Sequence, residues 1–76
     1  MSDPLQRFTE NLRRTREASG LTQEAIALEA GMDPSYYNKI ENGRIDPSIR
    51  MVTRVAVAMG ATASDLLHGV VWTGQY

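Results

Sequence analysis

The sequence predicts an all-α fold in which five short helices form one compact domain. Three observations support this prediction. Apolar residues recur at spacings of three and four along most of the chain, residues that cap helix N-termini precede these stretches, and glycines follow them. With 76 residues, of which 42% are hydrophobic, the chain can build one core but not two. It has no cysteine, so helix packing rather than disulfide bonds or a thiolate zinc site must stabilise the fold.

The first predicted helix runs from about Pro4 to Ala18. Asp3 is placed to cap its N-terminus, Pro4 suits the first helical position, and Gly20 is placed to end it in a left-handed conformation. Its apolar face carries Leu5, Phe8 and Leu12. A second, short helix is predicted to begin after the cap residue Thr22 and to end at Gly31. One side of this helix carries Ile26, Ala27 and Ala30.

Asp33 and Pro34 repeat the signal of a cap followed by proline and predict a third helix. Its inward-facing residues are expected to be Tyr37 and Ile40. The Asn42-Gly43 pair is placed to end it. An Asn-Gly pair also suits a type I′ hairpin turn, but no alternation of strand-forming residues flanks the pair here. The helix end is therefore favoured.

Pro47 and Ser48 are predicted to begin a fourth helix, which keeps helical spacing until Gly60. The residues at that spacing are Ile49, Val52, Val55, Ala56 and Met59. A fifth helix is predicted from Thr62 to Leu67, with Asp65 three residues after the cap.

Charge alone argues mildly against a nucleic-acid partner, because the formal net charge is −1. The deciding quantity, however, is whether positive charge collects on one face. The basic residues do cluster in sequence, in two groups: Arg7, Arg13, Arg14 and Arg16, then Lys39, Arg44, Arg50 and Arg54.

The sequence offers little support for an enzyme. His68 is the only histidine, and no nucleophile or metal-ligand spacing accompanies it. We predict no catalytic residue, cofactor, metal site or small-molecule substrate. No apolar run is long enough to span a membrane and the N-terminus lacks the features of a signal peptide, so we expect a cytoplasmic protein without a membrane partner.

Helices 2 and 3 are joined by a turn of three to four residues around Gly31. This is the helix-turn-helix arrangement, in which the second helix enters the major groove of DNA. Spacing alone is a weak signal, because many small helical bundles contain a glycine turn.

A longer pattern of residues is more specific. It consists of Gly20-Leu21-Thr22-Gln23-Glu24-Ala25-Ile26-Ala27, Gly31, Ile40-Glu41-Asn42-Gly43-Arg44, Pro47-Ser48, Ala58-Met59-Gly60 and Asp65-Leu66-Leu67. From Phe8 to Leu67 the chain resembles the Cro and phage-repressor helix-turn-helix family. The resemblance implies a lambda-repressor-like fold and a transcriptional regulator that binds a palindromic operator in double-stranded DNA as a homodimer. Whether such a stand-alone protein is a restriction-modification controller, a phage or plasmid repressor or an antitoxin stays open.

The resemblance also implies roles for single residues. Those expected to contact base edges, on the exposed stripe of the recognition helix, are Pro34, Ser35, Asn38 and Lys39. Those expected to contact phosphates are Gln23, Tyr36, Asn42, Arg44 and Arg50. Arg16 and Glu41 match a structural ion pair that ties helix 1 to the end of the recognition helix. Taken singly, any of the polar residues could also belong to an ordinary solvated surface.

Two residues depart from the family pattern. Pro34 stands where many relatives have a long polar base reader, and its ring offers only van der Waals contact. Tyr37 replaces an aliphatic core residue, so the core must accommodate its ring and its hydroxyl needs a partner. Both departures make the target sequence harder to infer.

The repressor-like domain is expected to cover residues 1–69, followed by a tail over residues 70–76. Helix 5 and this tail are expected to form the dimer interface, because one small domain is not expected to bury all the apolar side chains of the tail by itself. These are Val70, Val71, Trp72 and Tyr76. A rival function is a protein-interaction module on the same fold without DNA affinity, which would agree with the acidic pI.

Overall fold

The computed structural model describes residues 3–72, and within that range it contains five α-helices and no strand. They are α1 (Pro4–Ser19), α2 (Gln23–Ala30), α3 (Pro34–Glu41), α4 (Ile49–Ala58) and α5 (Ala63–Leu66). The all-α prediction is confirmed. No helix in the described range is long and apolar enough to cross a bilayer.

Every helix begins after a side chain that accepts a hydrogen bond from a backbone N–H group. The capping residues are Asp3, Thr22, Asp33, Ser48 and Thr62. In α5 the Asp65 carboxylate also accepts from the Thr62 amide and completes a capping box. Pro47 does not begin α4 as predicted, because Ser48 is the extended cap residue and the proline precedes it.

The Asn42-Gly43 pair ends α3, as predicted. Asn42 has φ −92° and Gly43 has φ +70°. A type I′ turn requires positive φ at both of its central residues, so the hairpin alternative is wrong.

The core lies where α2 packs against α3 and α4, while α1 contacts α3 and α5 on the other side. Its buried apolar residues are Phe8, Leu12, Ile26, Ala27, Ala30, Tyr37, Ile40, Val52, Val55, Ala56, Met59 and Leu66. Ile49 keeps the predicted helical spacing but lies outside this core, because its side chain is 72% exposed. It shares the helical stripe of Val52 but is the first residue of α4, at the rim of the core.

Two arginines hold the C-terminal ends of helices. Arg54 donates from Nε and Nη2 to the Ala30 carbonyl at 3.0 and 2.6 Å, and from Nη2 to the Gly31 carbonyl at 3.0 Å. Arg7 donates from Nε to the His68 carbonyl at 3.4 Å. A guanidinium at these positions donates hydrogen bonds to carbonyls that lack a partner within the helix. Its positive charge also interacts favourably with the negative end of the helix dipole.

Candidate nucleic-acid interface

The turn between α2 and α3 consists of residues 31–33. Gly31 adopts φ +70° and its N–H donates to the Ala27 and Leu28 carbonyls, which ends α2. The Met32 amide donates to the Ala27 carbonyl at 2.9 Å, and Asp33 then caps α3. This short connection gives the helix-turn-helix arrangement that the sequence predicts.

The eight-residue helix α3 has one buried and one exposed side. Tyr37, Ile40 and Glu41 are buried, as the first two were predicted to be. The exposed side consists of Pro34, Ser35, Tyr36, Asn38 and Lys39. The four residues expected to read bases therefore share one accessible surface with Tyr36.

The exposed N-terminal end of α3 has its own hydrogen bonds. Asp33 Oδ1 accepts from the Ser35 amide at 2.8 Å and from the Ser35 hydroxyl at 2.6 Å. These two bonds hold the pKa of the Asp33 carboxyl below its usual value, the hydroxyl bond having the larger effect. The sequence indicated Asp33 as a cap but gave it no role toward Ser35.

Hydrogen bonds connect three of the residues predicted to contact DNA, one at the start of α2, one in the middle of α3 and one at the end of α3. Asn38 Nδ2 donates to Gln23 Oε1 at 3.2 Å, and Asn42 Nδ2 donates to the Asn38 carbonyl at 2.9 Å. The structure thus brings a predicted base reader next to two predicted phosphate contacts.

The C-terminal end of α3 is held by an ion pair. Arg16 Nε lies 3.2 and 3.0 Å from the two Glu41 carboxylate oxygens, and Arg16 Nη2 lies 2.9 Å from Oε1. The Glu41 side chain is 1% exposed and that of Arg16 is 17% exposed. Burial is the largest single influence on Glu41 and opposes its ionisation, but the hydrogen bonds to the carboxylate, that from Arg16 being the largest, and the Arg16 charge together outweigh burial, so the pKa of Glu41 lies below its usual value.

Arg13 joins this pair, which the sequence did not predict. Its Nη2 donates to the Glu41 carbonyl at 3.4 Å and its Nε lies 3.6 Å from Oε1 of the carboxylate. The side chain is half exposed. Its position three residues before Arg16 on α1 was the available signal, since residues so spaced share a helix face.

Tyr37 fits into the core but its hydroxyl does not obtain the expected partner. The oxygen is buried and has no hydrogen-bond partner among residues 3–72. Burial, followed by the nearby Glu41 carboxylate, raises the pKa of Tyr37 far above its usual value. The phenol is therefore neutral.

The two remaining predicted phosphate contacts, Arg44 and Arg50, follow α3 in the sequence. Arg44 follows the Asn42-Gly43 turn, and its amide donates to the Lys39 carbonyl at 2.9 Å. Arg50 lies in the first turn of α4. Both side chains are exposed and make no hydrogen bond or ion pair within the described range. They differ in this from Arg7, Arg13, Arg16 and Arg54, which are bound to carbonyls or to Glu41.

The described part of the chain contains an apolar surface groove but no candidate metal centre. It holds no group of three or more His, Asp or Glu residues that could bind a metal. A surface groove of about 350 Å³ runs beside the N-termini of α1 and α4, and its lining is largely apolar, including Leu5, Ile49, Val70 and Trp72.

Comparisons with known proteins agree with this geometry. The family described as a helix-turn-helix domain matches residues 7–68. The chain is 32% identical over 71 residues to the control protein C.MunI of a Mycoplasma species, covering 92% of this chain and 96% of that protein. It is 35% identical over 69 residues to the transcriptional regulator DdrOP3 of Deinococcus deserti. That match covers 91% of this chain but 54% of the regulator, so the chain spans about half of its length.

Two solved structures share the fold. The restriction-modification controller protein C.AhdI of Aeromonas hydrophila superimposes with a TM-score of 0.77 at 34% identity, covering 82% of this chain and 94% of C.AhdI. The clp gene regulator ClgR of C. glutamicum superimposes with a TM-score of 0.82 at 27% identity, covering 88% of this chain and 87% of ClgR.

Proposed function

The chain belongs to the helix-turn-helix domain family and is a DNA-binding transcriptional regulator rather than an enzyme, and we propose that it is a small controller that binds a palindromic operator as a homodimer. The observation that carries this proposal is the exposed side of α3, which presents polar side chains. The major groove admits an α-helix, so these side chains can reach base edges there. A controller is preferred to a phage repressor or an antitoxin because C.MunI and C.AhdI are control proteins matched over nearly their whole length. We place its activity in the cytoplasm, where bacterial DNA lies.

In this proposal Pro34, Ser35, Asn38 and Lys39 meet base edges. Their accessibility supports the assignment, and the Asn38–Gln23 hydrogen bond links one of these residues to the start of α2. The ring of Pro34 can contact a thymine methyl group, whereas the three polar side chains can form hydrogen bonds with bases.

Phosphate contacts are assigned to a second set: Gln23, Tyr36, Asn42, Arg44 and Arg50. Gln23 precedes α3, Tyr36 lies on its exposed side, and the other three follow Glu41 in the sequence, so the set borders the residues assigned to bases. Arg44 and Arg50 supply charges that no described carboxylate neutralises. Arg16 and Glu41 are assigned a structural role and no DNA contact.

The homodimer is proposed to form through α5 and the segment that follows it. Val71 and Trp72 are 65% and 57% exposed, and Trp72 lines the apolar groove. Adjacent exposed apolar side chains beside an apolar groove are the kind of contiguous patch that marks an interaction surface. Tyr76, which was assigned to the same interface, lies outside the described residues.

Binding to DNA is tested by fluorescence anisotropy on a labelled random duplex and on an operator selected from a random pool. The proposal predicts tighter binding to the operator, two half-sites of inverted symmetry, and affinity for both duplexes that falls steeply with salt. Affinity that does not depend on salt, or the absence of any selected sequence, would favour the protein-interaction module instead.

The dimer is tested separately by sedimentation equilibrium of the full chain and of a chain ending at residue 69. The full chain should have twice the monomer mass at tens of micromolar, and the shortened chain should dissociate at higher concentration. A monomer at these concentrations, with no effect of the deletion, contradicts the assigned interface.

A further inference from the structure

The first turn of α3 fixes the direction of one hydrogen bond without ambiguity. The Ser35 hydroxyl lies 2.6 Å from Asp33 Oδ1. An ionised carboxylate can only accept hydrogen bonds, so the serine must be the donor. The short distance is typical of a bond between a hydroxyl and a charged oxygen.

Asp33 is ionised under ordinary conditions. The same oxygen accepts the Ser35 amide at 2.8 Å, and both bonds lower the pKa of this exposed carboxyl. Lys39, six residues further along the chain, acts in the same direction through its charge. At neutral pH the Asp33 carboxylate therefore continues to accept the hydrogen bond that the Ser35 hydroxyl donates.

This arrangement limits what Ser35 can offer to DNA. A free serine hydroxyl both donates and accepts, and so distinguishes poorly between bases. With its single hydrogen committed to Asp33, the exposed oxygen has only lone pairs left for an outside partner. The major groove presents two kinds of partner, the amino groups of adenine and cytosine, which donate, and the ring nitrogens and keto oxygens, which accept.

We infer that Asp33 is a positioning residue that makes Ser35 an acceptor-only reader, so that the operator carries adenine or cytosine rather than guanine or thymine beside Ser35. The inference rests on the proposed function, because it requires that Ser35 face base edges. It adds the chemical class of the base and a residue that acts on the base only through its neighbour.

The first test locates and modifies the base. The base pair whose substitution weakens the parent protein but not Ser35→Ala is the one beside Ser35. At that pair the amino base should bind about 5- to 150-fold more tightly than the keto base on the same strand. Replacing adenine by purine, or cytosine by 2-pyrimidinone, removes only the amino group and should weaken the parent protein while leaving Ser35→Ala unaffected.

The second test separates the acceptor oxygen of Asp33 from its charge. Asp33→Gly removes both, yet glycine is a tolerated cap, so the helix should persist. Asp33→Asn removes the charge but keeps an oxygen that can accept both Ser35 hydrogens. Both variants should bind random duplex more tightly, because one negative charge near the phosphates is lost. The ratio of amino-base to keto-base affinity should fall toward one in Asp33→Gly and stay closer to the parent value in Asp33→Asn.

The controls keep the outcomes distinct. Glu10→Gln removes an exposed charge on α1 and should leave the base ratio unchanged. A folded Asp33→Gly variant with the parent ratio, or a keto base required beside Ser35, overturns the inference while operator binding stands. A parent protein that distinguishes no operator from random duplex overturns the proposed function itself.

Discussion

The two ends of α3 have opposite surroundings although they are separated by less than two helical turns. At the C-terminal end Glu41 is 1% exposed and bonded to Arg16 through three contacts. At the N-terminal end Pro34 and Ser35 are exposed, and the cap residue Asp33 is exposed as well. The buried C-terminal end of α3 therefore fixes the position of the helix in the fold, whereas the exposed N-terminal end is accessible to DNA.

The different surroundings of its arginines explain how a chain with a net charge of −1 can bind DNA. The positive charge of the chain is not spread evenly, since some arginines close the structure while others are exposed. Arg16 and Arg54 are bound to a carboxylate and to carbonyls, whereas Arg44 and Arg50 make no such bond within residues 3–72. Net charge counts both kinds alike, so it is a poor guide to the charge that phosphates meet.

The largest effect is expected at the buried end. Glu41→Ala leaves the Arg16 guanidinium without its carboxylate, and breaking one half of a buried ion pair typically costs about 3–5 kcal/mol. Urea unfolding followed by circular dichroism measures this loss. The matched control is Glu10→Ala, an exposed acid on α1, which should change the free energy of unfolding by about 0.5 kcal/mol or less. Equal stability of the two variants would mean that the pair does not anchor α3.

The same pair predicts how stability depends on pH. The folded pKa of Glu41 is lowered, so its contribution is complete above the unfolded glutamate pKa of about 4.3 and is lost as pH falls through the folded value. The difference in unfolding free energy between the parent and Glu41→Gln should therefore shrink from pH 7 to pH 3. A difference that stays constant or grows over this range contradicts the assignment.

The next effect concerns the turn that leads into the exposed end. Gly31 has φ +70°, and a Cβ there would lie 2.9 Å from Arg54 Nη2, whereas nothing lies within 4 Å at Gly20, where φ is +75°. Gly20→Ala should cost about 1–2 kcal/mol for the left-handed backbone alone. Gly31→Ala should cost more in thermal or urea unfolding, because Arg54 must also move from the α2 carbonyls. Equal losses would show that the guanidinium adapts freely.

A smaller effect is expected for charge at the rim of the exposed end. Arg44→Ala should weaken operator and random duplex nearly alike, and the slope of log K against log salt should shrink by about one unit. Lys39→Ala is the contrast, because loss of a base contact should cost about 1–3 kcal/mol on the operator and less on random duplex. Titrations at four salt concentrations measure both quantities. Reversed behaviour of the two variants would exchange their assigned roles.

Local signals in the sequence were sufficient for the helices. Caps such as Asp33 and C-terminal glycines such as Gly31 act within a few residues, so the boundaries of α2 and α3 agree with the prediction, whereas α4 begins two residues after Pro47. Ile49 keeps the helical spacing of the buried residues yet is exposed, because helical spacing gives the direction of a side chain but not whether a neighbouring helix covers it. The Arg54 contacts with Ala30 could not be predicted either, since they depend on how α4 approaches α2.

The candidate site was only partly readable from the sequence. The family pattern identified the residues of the exposed stripe, but not the hydrogen bonds among them, such as Asn38 with Gln23. The Tyr37 hydroxyl was expected to find a partner, and the packing of the ring leaves it without one in the described range. Side-chain bonding of this kind depends on distances of tenths of an ångström, which residue types alone do not determine.

A paired measurement on Asn38→Ala and Glu41→Gln shows whether the two ends of α3 carry stability and recognition separately. For each variant the urea midpoint and the ratio of operator to random-duplex affinity are determined, with affinities corrected for the folded fraction. Asn38→Ala should keep the midpoint and lose about 5- to 150-fold of the ratio, while Glu41→Gln should lower the midpoint and keep the ratio. A folded Asn38→Ala variant with full discrimination, or a Glu41→Gln variant that changes its preferred operator at unchanged stability, would show that the two ends of α3 do not carry stability and recognition separately.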